Sequence, residues 1–397
     1  MARIRLLDGL RGVAAGLVLL SHVAFWTGAS GLDVVGGLLA RGDSGVAVFF
    51  ALSAFLLLRP WFRHALLDEP RPNGRTYAVR RLARILPAYW LALLGVLVVA
   101  ALAASTGGVG SAGKVVTHLF VLQGMTGETY QSFTQTWSLT TELVFYVLVP
   151  VIGLVTARVL RRRAGVAGVR RALVWWAVIA AVGLVTQAAG TAWTHAGSQT
   201  GAGALSTSVI GHAAWFAVGA VAALLTIARD GEVVPWSTGG TRSSWLQLLR
   251  SPSTCLLGAG VVYLVASSPL AGPRDLSAPS VGHAVTKELL YAVLAGLLLA
   301  AALAPTPEAS IGAAIGRHPA THWLGDVSYG VFLWHVLVLQ VVYLSTGRDL
   351  FSGSFWWVLL PVVGLTVAAA SLSAQLVERP VLAWAHRATA PERATRA

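Results

Sequence analysis

The sequence predicts an all-α, polytopic integral membrane protein with about ten transmembrane helices and both termini in the cytoplasm. Three observations carry this reading. Hydrophobic residues make up 56 % of the 397 and charged residues 11 %, and the mean hydropathy of +0.70 lies far outside the range of soluble domains. Ten apolar windows approach or exceed the roughly 20 helical residues that cross a hydrocarbon core. The charges then alternate: of the 29 Lys and Arg, 24 fall in segments that ten crossings from a cytoplasmic start would place inside. Only Arg41, Lys114, Arg274, Lys287 and Arg348 fall outside, as the positive-inside rule demands. The net charge of +13 thus reflects membrane topology, and no nucleic-acid partner is expected. A lone Cys255 allows neither an internal disulfide nor a thiolate metal cluster, and no metal site is expected.

The first window, 9–27, carries Arg11 and His22 within "LDGLRGVAAGLVLLSHVAFW". Eleven helical steps bring them within about 20° of one face and separate them by roughly 16 Å. An ionisable group at that depth costs about 2.5–3.5 kcal/mol on insertion scales, so it is paired, solvated in a cavity, or functional. A neutral imidazole can take up and return a proton; the alternative is a ring bonded to a backbone carbonyl of a neighbouring helix. Arg3 and Arg5 before the apolar run imitate a secretory signal, but the Arg–His register argues for a retained helix.

In the second window, 44–58, Gly45, Ala47, Ala51 and Ala54 permit close helix approach. Asp43 at its outer end is either a helix cap or a cavity group. Before the third window, 86–104, "RTYAVRRLARILPAYW" places Arg80, Arg81 and Arg84 at helical spacing. Such guanidinium forks bind phosphate bidentately, or they snorkel to anionic lipid. The connection 105–136 includes an amphipathic "KVVTHLFVLQ" that lies on the surface or dips back in. The fourth window, 137–157, opens with "WSLTTELVFY", in which Ser138, Glu142, Phe145 and Tyr146 form one stripe. A carboxylate at that depth calls for His22, an arginine or water, or else reaches back to headgroups.

Windows 173–190, 208–228, 254–271 and 284–304 complete the middle of the chain, the seventh interrupted at one end by Ser267, Ser268 and Pro269. The ninth, 323–345, reads "LGDVSYGVFLWHVLVLQ" and lines Ser328, Phe332 and His335 along one face. The tenth is 355–377. No stretch has the composition of a second, soluble domain, so a single membrane-embedded domain over 1–380 is expected, with a short basic cytoplasmic tail over 381–397.

Taken together, "LDGLRGVAAGLVLLSH", "GDSGVAVFFALSAFLL", "RRLARILPAYW", "TWSLTTELVFY", "LGDVSYGVFLWH" and the closing "ERP" at 378–380 make the chain resemble acyltransferase family 3. The resemblance runs nearly end to end. It implies a polytopic O-acyltransferase of the bacterial cytoplasmic membrane, working within the lipid bilayer and moving an acyl group, acetyl foremost, from acyl-CoA to a hydroxyl. The implied acceptor is a carbohydrate or a glycosylated, macrolide-type metabolite, and acyl-CoA is a substrate rather than a bound cofactor.

By the same resemblance Arg11 and His22 are the family's Arg, ten residues, His pair, Arg81 and Arg84 its RxxR motif, and Glu142 the acid of its WSLxxE segment. His22 becomes the essential catalytic residue and the arginines contacts for the CoA phosphates. The sequence departs from the family at Ala54, where members often have Gly, and at Leu143, where many have a second Glu. The implied mechanism docks the phosphates at Arg80, Arg81 and Arg84, lets Glu142 hold the imidazole of His22, and lets Arg11 steady the donor. The rival reading is a proton-coupled secondary transporter with a His/Glu relay. Against it stand the missing internal repeat and the arginines gathered at one mouth.

Overall fold

The computed structural model describes residues 5–162, 165–198, 200–233, 251–304 and 310–390. Arg3, Arg163, Arg242, Arg250, Arg393 and Arg396, counted above among the cytoplasmic charges, and positions 391–397 of the expected tail lie outside the described residues. Every apolar window corresponds to a helix: α1 Arg5–Trp26, α2 Gly45–Leu66, α3 Gly74–Leu102, α4 Trp137–Arg161, α5 Gly165–His195, α6 Ala213–Asp230, α7 Pro252–Ser267, α8 Val281–Leu303, α9 Pro319–Thr346 and α10 Phe355–Ser373. An eleventh, α11 Arg379–Ala388, follows a wide turn over Ala374–Glu378. Among the described residues there is no strand, and nine helical runs are long and apolar enough to span.

The seventh window is the shortfall. At 16 residues, α7 rises only about 24 Å. It stops at Ser267 because Ser268 turns to extended backbone and Pro269 opens a separate 3-10 turn. Conversely, α2 outruns its apolar window to Leu66, through Pro60. The buried Trp61 and Phe62 continue its packing face, and the Arg59 guanidinium lies 5.1 Å over the Phe55 ring. α3 starts at Gly74 because the Asn73 side chain caps it, accepting from the Thr76 N–H at 3.0 Å. The three arginines therefore ride on the first turns of one 29-residue helix.

The central helix is α2, which packs on α1, α4, α6 and α8. Its small residues allow this. A Cβ on Gly219 of α6 would overlap the Ala51 carbonyl, and one on Gly45 would overlap the Ala14 carbonyl of α1. Because the obstacle at Gly219 is backbone, even Gly219→Ala must push α2 and α6 apart. We expect it to cost about 1–3 kcal/mol, read as a lower thermal midpoint in detergent, whereas Gly74→Ala, facing open space, leaves the midpoint unchanged. Equal midpoints for the two would show that the crossing is not close-packed.

The connection after α3 dips back. Its helix Ala112–Leu119 buries His118, whose carbonyl accepts from the Tyr89 hydroxyl at 2.8 Å, while the Leu119 carbonyl accepts from the Trp90 indole at 3.0 Å. Burial holds the His118 imidazole below its ordinary pKa. At the other end, α11 packs on α3.

Candidate active site

Two chambers lie inside the helices, and Val46 of α2 and Phe332 of α9 line both. The first, about 80 Å³, is lined by Arg11, Arg81, Arg84, Glu142, Tyr146 and Ser328, with Ser53 and Ser138 beside them. Three guanidiniums against one carboxylate give it a positive formal charge. The Glu142 Oε1 accepts from Ser53 Oγ at 2.5 Å and from the Tyr146 hydroxyl at 2.6 Å. Arg84 lies 3.8 Å from Glu378, and Arg11 lies 3.9 Å from Asp8. The expected arginine trio divides. Arg81 and Arg84 reach this arginine chamber, while Arg80 donates to Thr389 Oγ1 beyond α11 at 3.0 Å.

The second chamber, about 590 Å³, is lined by His22, Asp43, Gln135, His212, Lys287 and Glu288 among others. A neighbouring recess of about 380 Å³ also reaches His22 and Asp43. His22 Nδ1 lies 2.9 Å from the Val18 carbonyl and 3.3 Å from His335 Nε2. His335 in turn places its Nδ1 3.1 Å from the Val331 carbonyl. A carbonyl can only accept, so in the neutral pair both Nδ1 atoms carry hydrogen, and His335 Nε2 is a lone pair sharing the His22 N–H. These tautomers are assigned from hydrogen-bond partners. His22 Nε2 is then left as the lone pair of a ring that lines the chamber.

Arg11 and His22 do share a face of α1, but they open on different chambers, with the Val46–Phe332 layer between. Phe49 braces that layer, edge-on to Phe332 at 5.8 Å. The expected pairing of Glu142 with His22 is not formed: the carboxylate is on the arginine side, engaged by Ser53 and Tyr146, and Val18 and His335 set the imidazole instead. Ser138 and Tyr146 share the arginine chamber with Glu142, but Phe145 leaves the stripe to stack on Phe216 at 4.2 Å. His335 is buried behind His22 at 1 % exposure, a supporting position. Asp43 is no helix cap, since neither helix start beside it has a side-chain cap. It accepts from Lys287 Nζ at 2.6 Å and from the Tyr291 hydroxyl.

Sequence reading missed Ser53, Tyr329, His212, Lys287 and Glu288 as chamber residues. The available signal was an acid at 288 and a histidine at 212 in windows otherwise read as plain apolar spans. They meet at 3.0 Å. No group of three or more His, Cys, Asp or Glu suited to a metal occurs among the described residues.

Three comparisons bear on this site. A model of the acyltransferase domain family matches residues 4–374. Nodulation protein 10 of Rhizobium leguminosarum bv. viciae is 26 % identical over 407 aligned residues, covering 94 % of this chain and 92 % of that protein. The Bacillus subtilis (strain 168) protein named "Putative peptidoglycan O-acetyltransferase YrhL" is 25 % identical over 393, covering 94 % of this chain and 54 % of its own length. No solved structure matches. With a family match over nearly all of its length and a motif set divided between two chambers of one helical body, the chain belongs to acyltransferase family 3.

Proposed function

We propose that the protein is a bacterial cytoplasmic-membrane O-acyltransferase that moves an acyl group, acetyl foremost, from acyl-CoA to a hydroxyl of a carbohydrate or glycosylated macrolide-type metabolite. The observation that carries this reading is the pair of unlike chambers meeting at Val46 and Phe332, one arginine-lined and the other holding the free nitrogen of His22. Arg81, Arg84 and Arg11 suit the phosphates of the donor, which guanidinium binds bidentately and without losing charge. Glu142 accepts an amide N–H of the pantetheine arm. The thioester enters already activated, leaving the protein to supply positioning and proton transfer. His22 Nε2 meets the thioester at the Val46–Phe332 layer, and the acceptor occupies the wider chamber. The acetyltransferase name in Bacillus subtilis supports acetyl as the group and a glycan hydroxyl as its destination.

Purified protein in lipid nanodiscs, given acetyl-labelled acetyl-CoA and a panel of p-nitrophenyl glycosides, tests this directly. Label should reach the glycoside, and the rate should fall as pH drops through the imidazole's titration, because a protonated Nε2 neither attacks nor accepts. A flat acid limb counts against His22, and proton-coupled uptake of solute without transfer would favour a transporter.

The aromatic layer gives a further expectation. Phe332→Ala should widen the passage, raising butyryl transfer relative to acetyl by about tenfold, the size of effect that one or two methylenes produce in an apolar pocket. An unchanged butyryl-to-acetyl ratio would show that acyl length is read elsewhere.

A further inference from the structure

The chamber that holds His22 holds a second imidazole in a matching state. His212 Nδ1 lies 3.0 Å from Glu288 Oε2, so this nitrogen carries the hydrogen when the carboxylate is ionised, and Nε2 is again the lone pair. Among the described residues neither His22 nor His212 has a hydrogen-bond partner on Nε2. The ring of His212 is fixed by stacking on Trp215, 4.0 Å between centroids at 20°. Glu288 is fixed in turn, its backbone carbonyl accepting from the Trp215 indole at 3.0 Å.

Stability does not account for this pair. His212 precedes α6 but makes no side-chain cap there. Glu288 is 3 % exposed, and its Oε1 is buried without a hydrogen-bond partner. A half-satisfied buried acid costs free energy, and an apolar pair of similar volume would be at least as stable. An imidazole oriented by a carboxylate, with its other nitrogen free in a cavity, is the arrangement of a general base.

Resting on the acyl-transfer reading above, we propose that His212, oriented by Glu288, is a second catalytic base that takes the acceptor's hydroxyl proton while His22 carries the acyl group. In the first step His22 Nε2 bonds to the acyl carbon and the C–S bond breaks. CoA leaves as thiolate, and the cationic acyl-imidazole keeps its Nδ1–H on Val18 and His335. In the second step the acceptor O–H bond breaks, its proton passes to His212 Nε2, the oxygen bonds to the acyl carbon and the C–N bond to His22 breaks. Water relays the proton from His212 to the thiolate, so ester and CoA thiol are the net products.

The two half-reactions separate the two histidines. With wild-type protein in nanodiscs and no acceptor, tritiated CoA should exchange into acetyl-CoA. His22→Gln should abolish this exchange, and His212→Gln should retain it within threefold, which also reports that the variant is folded. Transfer to p-nitrophenyl glycosides, or to water where no glycoside accepts, should fall at least 100-fold in His212→Gln and about tenfold in Glu288→Gln. Added imidazole should restore part of it in His212→Ala, a response that a structural role would not give. Transfer by His212→Gln within threefold of wild type overturns the proposal. So does wild-type transfer without exchange, which would mean that no acyl group rests on His22. A wild-type protein that neither exchanges label nor consumes acetyl-CoA overturns the donor reading itself, and the assignment of His212 falls with it.

Discussion

His22→Gln should lower acyl transfer by about 10³-fold or more without loss of the fold. The ring is half-buried against a chamber, and the carbonyl it meets, Val18, lies four residues back on its own helix. Glutamine keeps a donor for that carbonyl but offers no nitrogen lone pair to the reacting centre. Acid–base work by one positioned side chain contributes about 10²–10⁴-fold; a group that also carries the acyl chain should stand at the upper end. His335→Gln provides the contrast. Its ring only receives the His22 N–H at 3.3 Å, so a loss of about tenfold is expected. Acetyl transfer measured beside thermal midpoints decides the matter: a His22 variant within tenfold of wild type, with an unchanged midpoint, would remove this residue from the chemistry.

Arg81→Ala should raise the KM for acetyl-CoA about 10–100-fold with little change in kcat. A hydrogen bond to a charged group contributes about 1.5–3 kcal/mol, and each 1.4 kcal/mol is tenfold in affinity. Arg81 is the cleaner site, because Arg84 also faces the carboxylate of Glu378, itself 2 % exposed. Removing Arg84 alone strands a buried acid, so its effect on donor binding should be read in the double variant Arg84→Ala with Glu378→Gln. Arg80→Ala should have the smallest effect of the three, since that side chain is turned to Thr389. The ratio of KM for acetyl-CoA to that for acetyl-pantetheine is the discriminating readout. If Arg81→Ala raises both equally, the guanidinium is not reading phosphate.

What lay within one helix was legible in the sequence. Hydropathy located every spanning segment, and the 3.6-residue period put Arg11 and His22 on one face and Glu142 in line with Ser138 and Tyr146. The close approach anticipated from Gly45 and Ala51 is present at the crossings with α1 and α6. What depended on which helix faces which was not legible. The carboxylate of Glu142 was free on paper to meet His22; the fold puts Val46 and Phe332 between their chambers. His212 and Glu288 are 76 positions apart, and each shows locally only as one ionisable residue in an apolar window, with nothing to pair it with the other. The limits of α2 and α7 were misjudged for a similar reason, since Trp61 and Phe62 extend one helix through tertiary packing while the Ser268–Pro269 backbone halts the other.

The layer formed by Val46 and Phe332 also bears on the bilayer as an insulator. Cavities with polar linings lie on either side of this layer, so with water in both, most of the membrane's electrical thickness would fall between them. A voltage across the bilayer, worth about 2.3 kcal/mol per elementary charge per 100 mV, would fall mostly there. On the proposed route an uncharged acyl group would pass this layer indifferent to the field. A phosphate would feel nearly all of it, so a single apolar contact would admit the proposed cargo and hold back the donor's charge.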